Sequence, residues 1–291
     1  MDSQNQEKET LYKPNDEEFN NKVRDLIQRL KNNSFKKVIF LLGAGISVGA
    51  GIPDFRTPKR GLFSNFTEYN VPYPEALFER DFFCDNPEPL YKFLKFFWDK
   101  NPSPTFAHFF IKQFEKKKIL EMIFTQNIDG LEHETGISSK KIIHAHGTLR
   151  EAKCLKCKKN QDQDVVVANI CKGSIFYCKC GGLVRPNILF YEEKMPKKFD
   201  KNAEKIKDAD LVFIMGTSLK VSPFDRLVHY IRNDSLIVIV NKDKIDVKCQ
   251  NQLFFQGDIQ IIAEQLCDEL QWRDVVLNDM EKYKQAKQKI S

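Results

Sequence analysis

Six short, continuously apolar runs constrain this 291-residue chain more than any other feature. They read KVIFLL (37–42), LEMIFT (120–125), KIIHA (141–145), DLVFIM (210–215), LIVIV (236–240) and LFF (253–255). Each has strand length and is rich in β-branched or aromatic residues, and helical patterns or polar turns separate them. Such runs belong in a parallel sheet with helices on both faces, where both sides of every strand are buried. In these sheets ligands sit at the carboxyl ends of the strands. The segments that follow the runs are therefore candidate site material: GAGIS, QNID, HG, GTS, NKD and QGD.

Two stretches interrupt the alternation. Residues 61–118, rich in Phe, Tyr and Pro, read as a helical insert, and residues 149–188 hold a cysteine cluster. The expected fold is α/β: a Rossmann-like parallel sheet built from residues 36–60, 119–148 and 189–272, plus a smaller domain made of the helical insert and a zinc-binding module. A cleft forms where the two meet. Residues 1–35 read as a polar extension ending in an amphipathic helix, with Phe19, Val23, Leu26, Ile27 and Leu30 at helical spacing. Residues 273–291 read as a charged helix or tail with little to bury.

After its strand, GAGISVGAGIPDFR (43–56) has glycines where backbone N–H groups could approach a pyrophosphate at a helix start. A packing turn that needs small residues is the plain alternative. The spacing of Gly43, Gly45 and Gly49 is one residue longer than the usual dinucleotide fingerprint. An acidic ribose partner is missing from its usual place about 20 residues on. Asp243, after a late strand, is the candidate instead.

Cys154 and Cys157 form C-x-x-C, and Cys178 and Cys180 form C-x-C-G-G. Two thiolate pairs on tight turns can close a tetrahedron around zinc and leave no open position, which makes the site structural. Redox chemistry is the alternative, and Cys171 lies between the pairs. No secretory signal is read at the N-terminus, so the chain is expected inside the cell with reduced thiols. No run reaches the ~18 apolar residues of a membrane helix. The charge of +6, from 46 basic against 40 acidic residues, is mild and reads as solvated surface.

Of the five histidines, His146 stands out, at a strand end directly before Gly147. It could act as a general base near neutral pH. His144, two residues earlier, points to the same side but deeper. Asn127 and Asp129 alternate around Ile128 and could both face a ligand. One base among carboxamides and carboxylates suits ribose chemistry better than peptide hydrolysis.

Together and in order, GAGISVGAGIPDFR, TQNIDGLE, HAHGT, the four-cysteine module running into LVRPNILFYEE, MGTSLKVSPF and VNKD resemble the sirtuins, NAD-dependent protein lysine deacylases. The resemblance spans about residues 36–272 and is nearest to class I, the deacetylase branch of eukaryotes, in its cytoplasmic-type members. It implies one consumed NAD and one structural zinc held by Cys154, Cys157, Cys178 and Cys180. Gly43, Ala44, Gly45 and Ser47 would line the phosphates. Ile52, Asp54, Phe55 and Arg56 would form a mobile cofactor loop, with Phe55 shielding nicotinamide. Gln126, Asn127, Ile128 and Asp129 would hold nicotinamide and its ribose, and Asn127 is implied in catalysis with His146. Gly216, Thr217 and Ser218 would flank phosphates and ribose; Asn241, Lys242, Asp243 and Ile259 would sit toward the adenosine side. Val184, Phe190, Leu219 and Val221 would belong to strands that clamp an acyl-lysine peptide. The implied reaction begins when the acyl oxygen attacks the nicotinamide ribose. His146 then takes a proton from a ribose hydroxyl, yielding lysine, nicotinamide and O-acyl-ADP-ribose.

Three positions depart from the family pattern. Glu192 stands at a usual glycine beside the expected peptide groove, where it is expected to favour basic residues around the target lysine. Gly49 replaces a usual serine or alanine, and His133 a frequent arginine. The expected partners are acetylated proteins or peptides, with histones or tubulin among the candidates, and neither membrane nor nucleic acid. The expected compartments are cytoplasm, nucleus or both. Oligomeric state is not readable. Protein mono-ADP-ribosyl transfer shares the cofactor and the bond cut, and a non-catalytic zinc-binding interaction module is a further alternative. An ordinary NAD oxidoreductase would leave the zinc module and His146 unexplained.

Overall fold

The computed structural model describes residues 10–52 and 68–289. Its strands are β1 (Val38–Leu42), β2 (Leu120–Thr125), β3 (Ile142–His144), β4 (Gly147–Cys154), β5 (Asn160–Gln161), β6 (Val184–Ile188), β7 (Leu211–Met215), β8 (Leu236–Asn241) and β9 (Gln252–Gln256). Its α-helices are α1 (Glu17–Lys31), α2 (Arg80–Asp85), α3 (Glu88–Asp99), α4 (Phe106–Lys116), α5 (Leu131–Glu134), α6 (Gln163–Cys171), α7 (Lys197–Ala203), α8 (Ile259–Leu270) and α9 (Arg273–Gln288).

All six apolar runs become strands of one sheet, in the order β3-β2-β1-β7-β8-β9, with every neighbouring pair parallel. Taken as the sheet's own first to sixth strands, this is the doubly wound order 3-2-1-4-5-6. The continuous runs are explained by burial on both faces. Val38, Phe40 and Leu42 enter one core with Leu211, Phe213 and Met215. Ile39 and Leu41 enter the other with Val212 and Ile214. The first core is aromatic at its centre. Phe40 stacks on Phe213 with centroids 4.9 Å apart, and Phe114 meets Phe213 edge-on at 5.5 Å.

Helix α1 forms where the periodicity placed it. Asp16 caps it by accepting from the Phe19 N–H, and Val23, Leu26, Ile27 and Leu30 are buried. The charged C-terminal stretch buries more than its composition suggests. Helix α9 sinks Val276, packs Met280 and Tyr283 against the first core, and sets Tyr283 5.9 Å from Phe109. Its polar sequence conceals a narrow apolar stripe at helical spacing.

A second, separate core lies between the two interrupting stretches. It joins Phe78, Phe83, Tyr91, Phe93 and Phe97 to Leu149, Val166, Ile170, Val184 and Phe190. Its sheet is small and antiparallel, in the order β5-β4-β6. The Tyr91 hydroxyl crosses the core to the Val184 carbonyl at 2.8 Å. Helix α4 packs with the large sheet instead, through Phe106, Phe109, Phe110 and Phe114. Among the described residues no helix is long and apolar enough to cross a membrane.

Phe213 is fully buried between these rings. Phe213→Ala should destabilise the protein by about 3–5 kcal/mol, read as a lowered midpoint in equilibrium urea unfolding.

Candidate active site and metal centre

The strand order reverses between β1 and β7, and there the two following loops press together. The Gly43 N–H donates to the Met215 carbonyl at 3.0 Å, and Gly45 N–H to Gly216 at 2.9 Å. A Cβ on Gly43 would lie 2.6 Å from the Gly216 oxygen, and one on Gly45 would lie 2.6 Å from the Gly216 Cα. Gly216 itself has φ +67°. Side chains are thus excluded from the switch point, and bare backbone faces the place where a dinucleotide's phosphates bind in such sheets. Ile259, at the first turn of α8, closes on Gly45. Gln260 fixes the loop from behind, its amide donating to the Ile46 carbonyl at 3.1 Å. The Thr105 hydroxyl donates to the same carbonyl at 3.1 Å.

The segment after β2 joins this cradle. The Asn127 amide donates to the Gly43 carbonyl at 3.1 Å and lies 3.4 Å from the Ser47 hydroxyl. The Gln126 side chain accepts from Thr217 at 2.7 Å. GAGIS, QNID and GTS, far apart in sequence, are therefore one hydrogen-bonded unit. Asp129 is buried; burial first, and Glu132 next, push its carboxyl up to about 7, against hydrogen bonds from the Leu131 N–H and Ser47. Both causes favour the protonated carboxyl, which can donate as well as accept a hydrogen bond. Glu132 beneath it is also buried and also raised, first by burial.

His146 follows β3. Its Nδ1 lies 3.0 Å from the Gln126 carbonyl oxygen. A carbonyl only accepts, so Nδ1 carries the proton and Nε2 keeps the lone pair in the neutral ring. Burial lowers the His146 pKa and so favours the neutral form, partly opposed by that hydrogen bond. The other paired histidines have structural surroundings. His108 bonds Thr105 at the start of α4, and burial holds it at about 3. His133 and His144 meet Nε2 to Nε2 at 2.8 Å.

A pocket at this junction is lined by Ala44, Ser47, Ile52, Asn127, Ile128 and Asp129 from the large sheet's loops. Phe93, Phe96, Phe97 and Lys100 from α3 and its end close the other side. Sequence reasoning did not find these aromatics; their helical spacing marks a buried face without saying what it faces. Asp54, Phe55 and Arg56 lie outside the described residues. Ser218, Lys242 and Asp243 are exposed, and the Asn241 amide donates to the Asp243 carbonyl at 2.9 Å. Val184 and Phe190 are buried in the second core, which leaves only their backbone open to a partner. Leu219 and Val221 are partly exposed on the loop after β7.

Glu192 adopts φ +68°, the left-handed conformation that glycine favours. The loop therefore has a glycine-type backbone and carries an exposed carboxylate. Beside it, Arg185 grips Glu193 with both nitrogens, at 2.7 and 2.8 Å. Glu193 Oε2 also accepts from the Phe190 N–H at 3.1 Å. This half-buried fork holds the chain after β6 in place and was not foreseen from the sequence.

At the far end of the second core, the sulfurs of Cys154, Cys157, Cys178 and Cys180 lie within 4.8 Å of one another. Cys154 and Cys180 are 3.5 Å apart, and Cys157 and Cys178 are 3.8 Å apart. Disulfide sulfurs would be about 2.05 Å apart. Four sulfurs around one zinc at about 2.3 Å stand roughly 3.8 Å from each other, so the set fits tetrahedral zinc. Cys171, exposed at the end of α6, is outside the cluster.

A family model described as the Sir2 family matches residues 43–223. The chain is 34% identical over 265 residues to "NAD-dependent protein deacetylase sirtuin-3" of Mus musculus, covering 89% of this chain and 79% of that protein. It is 35% identical over 257 residues to "NAD-dependent protein deacetylase hst2" of Schizosaccharomyces pombe, covering 87% and 76%. To "NAD-dependent protein deacetylase sirtuin-2" of Danio rerio it is 37% identical over 236 residues, covering 79% and 62%.

The metal site predicts one zinc per chain by elemental analysis. Cys178→Ser should lose that zinc and expose the second core, seen as rapid proteolysis between residues 149 and 188. A full complement of zinc in that variant would contradict the four-thiolate assignment.

Proposed function

The chain belongs to the Sir2 family and is an NAD-dependent protein lysine deacetylase, and we propose that His146 and Asn127 carry its chemistry at the switch point of the sheet. One observation supports this reading above the rest: His146 is held by its Nδ1 on the Gln126 carbonyl, and that same residue's side chain is bonded to Thr217 of the opposite loop. The free Nε2 is therefore fixed relative to the glycine cradle.

The residues divide the work as follows. Gly43, Ala44, Gly45, Ser47, Gly216, Thr217 and Ser218 receive the phosphates, through backbone N–H groups and hydroxyls. Gln126, Ile128 and Asp129 meet the nicotinamide end, with the protonated or ionised Asp129 matching either half of a carboxamide. Asn127 orders the ribose side and braces Gly43. Asn241, Lys242, Asp243 and Ile259 lie toward adenosine. Ile52 lines the pocket on the nicotinamide side, and the cover role of Asp54, Phe55 and Arg56, outside the described residues, rests on the family resemblance alone. NAD supplies a ribose that accepts the acyl group as nicotinamide departs. His146 Nε2 would take the proton from the ribose hydroxyl, one water would be consumed in releasing the lysine amine, and the apolar wall of Phe93 and Phe97 would keep further water away. The acyl-lysine peptide lies along β6 and the 219–221 loop, adding a strand by backbone hydrogen bonds. Acetylated histones and tubulin, reached in nucleus and cytoplasm, are the substrates to assay first.

His146→Ala should lower kcat by about 10²–10⁴-fold, in proportion to O-acetyl-ADP-ribose formed, measured by mass spectrometry with an acetyl-lysine peptide. A base must be neutral to act, and the His146 pKa is lowered from 6.5. The acid limb of kcat/KM should therefore lie below that value. A limb above it, or product at the wild-type rate from His146→Ala, would refute the assignment.

Glu192 gives a separate outcome. Glu192→Gly should cut the preference for basic over acidic flanking residues by about two- to fivefold, the scale of an exposed charge pair. Unchanged relative rates on the two peptide sets would remove Glu192 from substrate selection.

A further inference from the structure

The short helix α5 follows the cofactor-side segment directly, and it is anchored from outside the site. Gly130, with φ +70°, begins it. A Cβ at Gly130 would lie 2.4 Å from Arg150 Cδ and 2.6 Å from Cγ. The arginine stem thus occupies the space that the glycine leaves. Its guanidinium then reaches Glu134 Oε1 at 2.8 Å, in a half-buried pair whose side chains are 31% and 20% exposed. The other Glu134 oxygen accepts from the Tyr283 hydroxyl of α9. Burial first, and Glu134 next, raise the Tyr283 pKa, so the phenol remains a donor.

Both ends of this chain of contacts are fixed. Tyr283 rests on Phe109, and one turn later Lys287 bonds the Ser103 hydroxyl at 3.1 Å. At the other end the Leu149 N–H, next to Arg150, donates to the Ile128 carbonyl at 2.8 Å. The Leu131 N–H donates to Asp129 at 3.0 Å. A displacement of Arg150 or of α5 would therefore move Ile128 and Asp129 directly.

We propose that Arg150, Glu134 and Tyr283 are positioning residues through which the C-terminal helix holds residues 126–134 in the geometry that binds NAD. None of the three touches the pocket; they act through Gly130 and Asp129. The inference rests on the reading that Asn127 and Asp129 meet the cofactor.

The test is steady-state kinetics on the full chain, with NAD and acetyl peptide varied separately and thermal melting in parallel. Tyr283→Phe keeps the packed ring and removes only the hydroxyl. Tyr283→Phe and Arg150→Met should each raise KM for NAD about three- to tenfold, with the peptide KM and melting temperature nearly unchanged. Arg150→Lys, which can still reach one carboxylate oxygen, should recover part of the loss. Asp129→Asn serves as the control for the underlying reading. If it raises the NAD KM while Tyr283→Phe and Arg150→Met leave it unchanged, the positioning role is wrong and the cofactor reading stands. If Asp129→Asn also has no effect on NAD, the cofactor reading fails and the proposal with it. A parallel loss of melting temperature, kcat and both KM values would mark the three residues as general structural supports and overturn the proposal.

Discussion

Two backbone loops meet at the centre of the sheet with no room for a single Cβ between them. Gly43 and Gly45 after β1 lie against Gly216 after β7, at separations a side chain could not survive. This contact sets the site, because residues 126 and 127 are bonded to the two loops and His146 is bonded to Gln126. Asn127 braces Gly43, Gln126 bonds Thr217, and His146 hangs on Gln126. The sheet supplies the precision: neighbouring parallel strands place their carboxyl ends side by side, and the strand order reverses only here.

The second core exists for a different reason. Residues 68–99 and 149–190 form a small core, of the size at which natural domains often add a staple such as a metal. Aromatic rings from α2 and α3 cover one side, and four cysteines close the other. Structural zinc supplies folding free energy directly. The Arg185–Glu193 fork then fixes the chain as it leaves β6. The pocket lies where Phe93 and Phe97 of this core face Asn127 and Asp129 of the other. The pocket thus draws on the second core and on the loops of the large sheet together.

The large sheet was readable because strands buried on both faces leave unbroken apolar runs, and all six did. The zinc ligands were readable because metal geometry forces close pairs of one residue type. The placement of α4 was not, since residues 61–118 are aromatic throughout and composition does not say which core a ring enters. The burial of α9 was hidden by its lysines, which lie off its apolar stripe. Arg150, Glu134 and Tyr283 carry no local pattern: Glu134 and Tyr283 meet across 149 residues. Long-range polar contacts of that kind appear only when the fold brings them together. Glu192 was visible as an anomaly, and its φ of +68° lies in the conformation that glycine favours.

The most direct test of a cradle built to consume its cofactor is stoichiometry. The purified protein is incubated with NAD labelled in nicotinamide and an acetyl-lysine peptide, and free nicotinamide and free lysine peptide are counted over time. One nicotinamide released for each lysine unmasked, with neither formed when the other substrate is withheld, is the predicted result. Lysine unmasked without nicotinamide release would contradict it.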